Sequence, residues 1–123
     1  MTINCTKIGA ILAALGIGLG AFGAHALQEM LLEKNLLDTY KTAVLYHLIH
    51  AIGLVALGRM SHSKWSVRGA WLLVLGTLGF SGSLYLYCFT GIRALNFITP
   101  LGGLLLIIGW LLIALGGKKE SRS

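Results

Sequence analysis

Four stretches without a single Asp, Glu, Lys or Arg constrain what this chain can become. They are residues 8–28, 42–58, 69–92 and 94–117, with 21, 17, 24 and 24 positions. A helix crosses the hydrocarbon core of a bilayer with about 20 mostly apolar residues, in a range of ~17–25. Every run is long enough, although 42–58 is at the lower limit and contains two histidines. At this segment length only a helix satisfies its own backbone polar groups within lipid. The reading is therefore an all-α integral membrane four-helix bundle. It is one transmembrane domain over residues 1–123, with spans at about 8–27, 42–59, 69–89 and 96–116. Composition agrees: charged residues make up 11% of the chain, against about 25% in an ordinary soluble domain.

The basic residues set an orientation. Four spans put the N-terminus, the 59–68 loop and the C-terminus on one side, which carries Lys7, Arg59, Lys64, Arg68, Lys118, Lys119 and Arg122. The other side carries only Lys34, Lys41 and Arg93. Lys and Arg near span ends stay cytoplasmic, so the expectation is a multi-pass protein of the cell inner membrane with both termini cytoplasmic. The net charge of +6 then reads as an orientation signal and a contact with anionic headgroups. It does not read as nucleic-acid binding, because no basic face alternates with aromatics. A cleaved leader ending at Ala24-His25-Ala26 is the rival for the first run. The length and glycine content of that run argue for a retained span. Cys5 and Cys88 fall at opposite membrane faces in this topology and are expected to stay unpaired.

Residues 28–41, QEMLLEKNLLDTYK, hold three of the four acidic residues. Leu32, Leu36 and Tyr40 recur at helical spacing opposite charged positions, which predicts a short amphipathic helix on the outer surface. An irregular loop is the alternative. In the 59–68 loop, Trp65 is expected at headgroup level and His62 in solvent.

Glycine is patterned. Gly9, Gly16 and Gly23 are seven apart in the first span, as are Gly102, Gly109 and Gly116 in the fourth, and the third has Gly69, Gly76 and Ser83. Gly16-xxx-Gly20 and Gly79-xxx-Ser83 add small-xxx-small pairs. A sevenfold repeat of small residues keeps one seam facing a neighbour and lets backbones approach, predicting a left-handed bundle with glycine-rich packing seams. Gly20-Ala-Phe-Gly-Ala also echoes Gly79-Phe-Ser-Gly-Ser, which raises a two-plus-two parallel repeat.

The polar side chains share one depth. His25 closes the first span. Tyr46, His47 and His50 lie in the outer half of the second, and Ser81, Ser83 and Tyr85 in the outer half of the third. Arg93, Asn96 and Thr99 open the fourth, just before Pro100. These ten residues form the candidate polar pocket. His47 and His50, three apart, share a helical face, and ionisable residues inside a membrane mark a functional site by default. Three readings stand side by side. The residues line an outward-facing pocket for a small ligand, ion or lipid headgroup. Or they hydrogen-bond between helices as polar glue. Or His25, His47 and His50 ligate a metal or haem. No cofactor is assigned. No catalytic set is evident, since the spans hold no Asp and so no Ser-His-Asp arrangement.

At these residues the chain resembles a known family. Gly20-Ala-Phe-Gly-Ala-His25, Tyr46-His47-x-x-His50, Phe80-Ser-Gly-Ser-Leu-Tyr85 and Thr99-Pro-Leu-Gly-Gly103 are similar to the YgdD-like family, domain of unknown function 423, related to animal transmembrane protein 256. The similarity runs over nearly the whole chain. It implies a small four-span inner-membrane protein of unassigned function and carries over no catalytic residue. Two functional expectations follow beside the metal reading. One is a binding module entered from outside. The other is a structural or assembly protein, a homo-oligomer or the partner of another membrane protein, packing through its glycine seams.

Overall fold

The computed structural model of the protein describes residues 4–60 and 63–120. The position expected for His62 lies outside these residues. Five helices follow in order: α1 (Cys5–Ala24), α2 (Gln28–Glu33), α3 (Leu37–Gly58), α4 (Lys64–Thr90) and α5 (Leu95–Glu120). No strand occurs among the described residues. Four of the helices are long and apolar enough to cross a membrane.

The helices are offset from the charge-free runs, α1, α3 and α4 beginning before theirs and α1 and α4 ending short of theirs, because capping and local charge set their ends. The Asn4 side chain accepts from the Lys7 N–H at 3.0 Å and starts α1. Ser63 does the same for Ser66 at 3.2 Å, so α4 begins with a charged turn. There the Trp65 ring sits within 5.6 Å of the Lys64 ammonium and 5.2 Å of the Arg68 guanidinium, a cation–π arrangement. At its other end α4 stops at Gly91, whose φ of 73° suits a residue without Cβ. Pro100 lies inside α5 rather than at its start, which leaves the Asn96 carbonyl without its usual donor.

The surface segment differs most from expectation, since 28–41 is two helices rather than one. Asn35 has φ 59°, a left-handed conformation that Asn tolerates better than most residues. Around it, Leu36 N–H bonds Leu31 C=O at 2.8 Å and Asn35 N–H bonds Leu32 C=O at 3.1 Å. This is the pairing of a Schellman motif, which ends a helix. Leu31 packs beneath the turn with Leu36, Tyr40 and Cys88. A new helix, α3, starts at Leu37 with Asp38 in its first turn, where the helix dipole favours a negative charge.

The long helices pack as antiparallel neighbours, α1 on α3, α3 on α4 and α4 on α5. Only 17% of the spanning window of α1, and of α5, is buried, against 33% for α3 and 39% for α4. So α3 and α4 are central and α1 and α5 peripheral. Cys5, Leu54, Leu57, Ala70, Leu73 and Leu106 form the apolar core at the end where the chain begins. Both cysteines are buried and free.

Glycine governs the two outer contacts. Gly9, Gly16 and Gly23 are the buried glycines of α1. A Cβ on Gly9 would meet Ala51 O at 2.6 Å and Val55 N at 2.7 Å; one on Gly23 would strike the Tyr40 ring. In the other pair, a Cβ on Gly69 would meet Gly109 O at 2.6 Å, and one on Gly76 would meet Leu106 at 2.8 Å. A Cβ on Gly102 would meet the α4 backbone at Phe80 N and at Gly79 C, the latter at 2.7 Å. Gly116 faces Ser63 and Ser66. The α1 and α4 seams correspond position by position with one constant offset: Gly9 to Gly69, Gly16 to Gly76, Gly23 to Ser83. The α1–α3 and α4–α5 hairpins therefore repeat one packing scheme.

Candidate functional site

Most of the hydrogen bonds between spans meet on α3. Ser81 Oγ on α4 donates to the Ala43 carbonyl at 2.8 Å. The Tyr40 hydroxyl donates across to the Leu19 carbonyl of α1. His47 bridges two helices: Nε2 lies 2.7 Å from Leu12 O on α1 and Nδ1 lies 2.8 Å from the Tyr85 hydroxyl on α4. A carbonyl only accepts, so Nε2 carries the hydrogen and Nδ1 accepts from Tyr85. His50 takes the opposite tautomer. Its Nδ1–H donates to Tyr46 O at 2.7 Å, and Nε2 accepts from Trp110 Nε1–H of α5 at 3.0 Å. Both rings are buried, neutral in this arrangement and occupied at both nitrogens. Helix α3 thus holds α1, α4 and α5 by side-chain hydrogen bonds.

Aromatic packing surrounds the network. Tyr85 stands edge-on to Tyr40 at 5.6 Å and to His47 at 5.8 Å, while Tyr46 lies 4.6 Å from Phe80. Ser83 and Thr99 hydroxyls join α4 to α5. Each hydroxyl also has a backbone acceptor on its own helix, Phe80 O at 3.0 Å for Ser83 and Leu95 O at 3.4 Å for Thr99, so either one can be the donor between them. Thr77 is the exception. Its hydroxyl is buried on α4 and has no hydrogen-bond partner.

These bonds sort the ten polar positions read from the sequence. His47 with Tyr85, His50 with Tyr46, and Ser83 with Thr99 are brought together as pairs, and Ser81 is tied to backbone. His25, Arg93 and Asn96 are exposed and join none of these pairs. The ten do not surround one cavity. A groove of about 500 Å³ between α3, α4 and α5 is lined by Tyr46, His50, Phe80, Pro100 and Trp110 among others. A smaller one beside Phe22 holds His25 alone of the ten. A metal at His47 or His50 would have to displace Tyr85 or Trp110 to reach a lone pair. Among the described residues no group of three or more His, Cys, Asp or Glu is placed to hold a metal ion.

Three contributors escaped the sequence reading: Trp110, Tyr40 and the unpartnered Thr77. Trp110 sits within a run of Leu, Ile and Gly, and nothing nearby marks it. Tyr40 carried a signal, because it shares the stripe of Leu32 and Leu36. Its partner is a backbone carbonyl, which side-chain patterning cannot reveal.

Fold and polar core together define a class: a small multi-pass membrane protein whose intramembrane polar groups bond helix to helix. The chain belongs to the family described as protein of unknown function (DUF423), whose model matches residues 19–103. It is 41% identical to a UPF0382 membrane protein of Staphylococcus saprophyticus, over 91% of this chain and 94% of the relative. It is 40% identical to the UPF0382 membrane protein YwdK of Bacillus subtilis, with 91% and 94% covered. A UPF0382 membrane protein of Haemophilus influenzae is 37% identical, with 85% of each chain covered. No solved structure matches.

Proposed function

We propose that this chain is a non-enzymatic assembly module of the inner membrane, joining another membrane protein through the lipid-facing side of α1. One observation carries the reading: the buried polar groups that would make an internal ligand site are spent on hydrogen bonds, most of them to α3. The outer helices keep broad unpartnered faces. On α1 the outward side is built of Ala10, Ala14 and Gly18 between Ile11, Leu15 and Phe22. A Cβ on Gly18 would meet nothing within 4 Å. In lipid, where apolar surface alone drives no association, small residues permit the close backbone approach that helix contacts need. Both termini are cytoplasmic in this reading, supported by the seven-to-three distribution of Lys and Arg.

Site-specific photocrosslinking in native membranes tests it. A photoreactive residue at Ala14 or Gly18 is expected to capture one discrete protein partner, while one at Leu111 on α5 captures lipid. Equal lipid-only adducts at all three positions would overturn the reading, and a crosslink of chain to chain would replace the partner by a second copy. A fluorescent protein fused to the C-terminus is expected to glow only in the cytoplasmic orientation; a dark fusion, with an alkaline phosphatase fusion active, reverses the topology.

A further inference from the structure

The contact between α1 and α3 leaves a groove of about 340 Å³ that runs from Gln28 and Lys41 to Leu48. We infer that this groove binds one anionic phospholipid, with its phosphate at Lys41 and one acyl chain laid toward Leu48. The inference is independent of the assembly reading, which uses the other side of α1.

The groove exists because one wall has almost no side chains. Gly20, Gly23 and Ala24 present nothing beyond a Cβ, and Val44 is the only group near a Cβ built on Gly20, at 3.3 Å. The opposite wall is Leu37, Val44, Leu45 and Leu48. Tyr40 sits over Gly23, and its hydroxyl is already committed to Leu19, so it adds no free polar group.

Polarity within the groove changes along its length. Lys41 and Gln28 line it at the α2 end, and an ammonium and an amide are donors suited to phosphate oxygens. Leu48 lies two turns further along α3, about 10 Å at 1.5 Å per residue, and the wall between is apolar. A cation at the rim of the membrane and a slot running into hydrocarbon match an anionic headgroup followed by its chain. The volume lies within the ~300–1,000 Å³ of ordinary ligand sites. Glu29, Glu33 and Asp38 belong to the same end of the molecule but do not line the groove. The larger groove beside Trp110 offers no cation, which is why the charge argument selects this one.

Native mass spectrometry of the full chain in mild detergent tests the inference, using phosphatidylglycerol and phosphatidylcholine with identical acyl chains. One phosphatidylglycerol is expected to bind about fivefold better than phosphatidylcholine, the worth of a single basic residue near anionic lipid. Lys41→Gln is expected to bring that ratio toward one. Lys34→Gln, which alters a cation at the same end but outside the groove, is expected to leave it unchanged. Leu45→Trp, at a position already 56% exposed, fills the groove and is expected to lower binding of both lipids. Equal binding of the two lipids by the natural chain would overturn the inference. So would equal effects of Lys34→Gln and Lys41→Gln, which would mean diffuse surface attraction, or unchanged binding in Leu45→Trp.

Discussion

Gly102→Ala is the sharpest test of how this bundle is held. The new methyl group on α5 would meet α4 backbone atoms, Gly79 C at 2.7 Å and Phe80 Cα at 2.9 Å, besides Phe80 N. An ordinary contact distance is ~3.5–4.0 Å, so α4 and α5 must separate by roughly 1 Å. A flexible side chain would swing away, but backbone atoms of two packed helices move only together. A 0.5–1 Å gap forfeits about a quarter to a half of each dispersion well along the seam. The expected cost is at the upper end of the ~1–3 kcal/mol usual for overpacking. The control is Gly18→Ala, where a Cβ meets nothing within 4 Å and helix propensity gains up to about 1 kcal/mol. Unfolding by sodium dodecyl sulfate from mixed micelles, followed by circular dichroism, measures both. Gly102→Ala is expected to lose stability and Gly18→Ala to lose none. Equal stability of the two variants would refute it, because substitution at a seam and on an open face would then be indistinguishable.

Three further outcomes follow from the polar core. Tyr85→Phe removes one interhelical bond and should cost about 0.6 kcal/mol, the average for such bonds in membranes, whereas His47→Ala loses two bonds and opens a cavity, costing roughly 2–3 kcal/mol; the same unfolding assay checks the order, and equal costs would count against His47 as the bridge. Thr77→Val exchanges a buried unpartnered hydroxyl for a methyl group, so the variant should be as stable as the natural chain or up to about 1 kcal/mol more stable; a loss beyond that would mean the hydroxyl has a partner. Cys5 and Cys88, both buried, should resist a maleimide in mild detergent and react after denaturation; fast labelling of Cys88 in the folded state would show that α2 does not stay seated through Leu31.

The sequence made the helices legible, and their contacts only in part. Charge-free length is enough to find spans, since lipid leaves no other solution for the backbone. Glycine spacing marks a contact face, because close approach demands the small residue wherever it occurs along the helix. Thus Gly9, Gly16 and Gly23 could be assigned to one seam without knowing what they touch. Depth is readable too, from residue count alone. The rotation of each helix relative to its neighbours is not, and rotation decides whether residues at one depth converge. Ser83 and Thr99 share a depth and meet. His25 and His47 were placed in the same polar layer and do not meet, because His25 lies past the last turn of α1 while His47 turns in toward Leu12. The two-helix form of 28–41 rests on one left-handed residue, Asn35, in a segment whose hydrophobic spacing alone suits a single helix.

The charge-free run that carries two histidines became the helix that all the other spans bond to, and one physical reason accounts for both properties. Histidine facing lipid is costly, so a span carrying His47 and His50 has to be enclosed by others that supply partners. Once enclosed, it has no lipid-facing requirement to be uniformly apolar, and the polar groups become its means of fixing neighbours. The peripheral helices face the opposite constraint. With 17% of their spanning windows buried, α1 and α5 touch the bundle through a narrow face, and in both that face is rich in glycine. Polar bonds therefore centre the bundle on α3, and glycine seams attach its outer helices. Among the faces left toward the bilayer are the groove beside Lys41 and the small-residue side of α1. The proposals for lipid and for a protein partner rest on these two surfaces separately, so either can fail without the other.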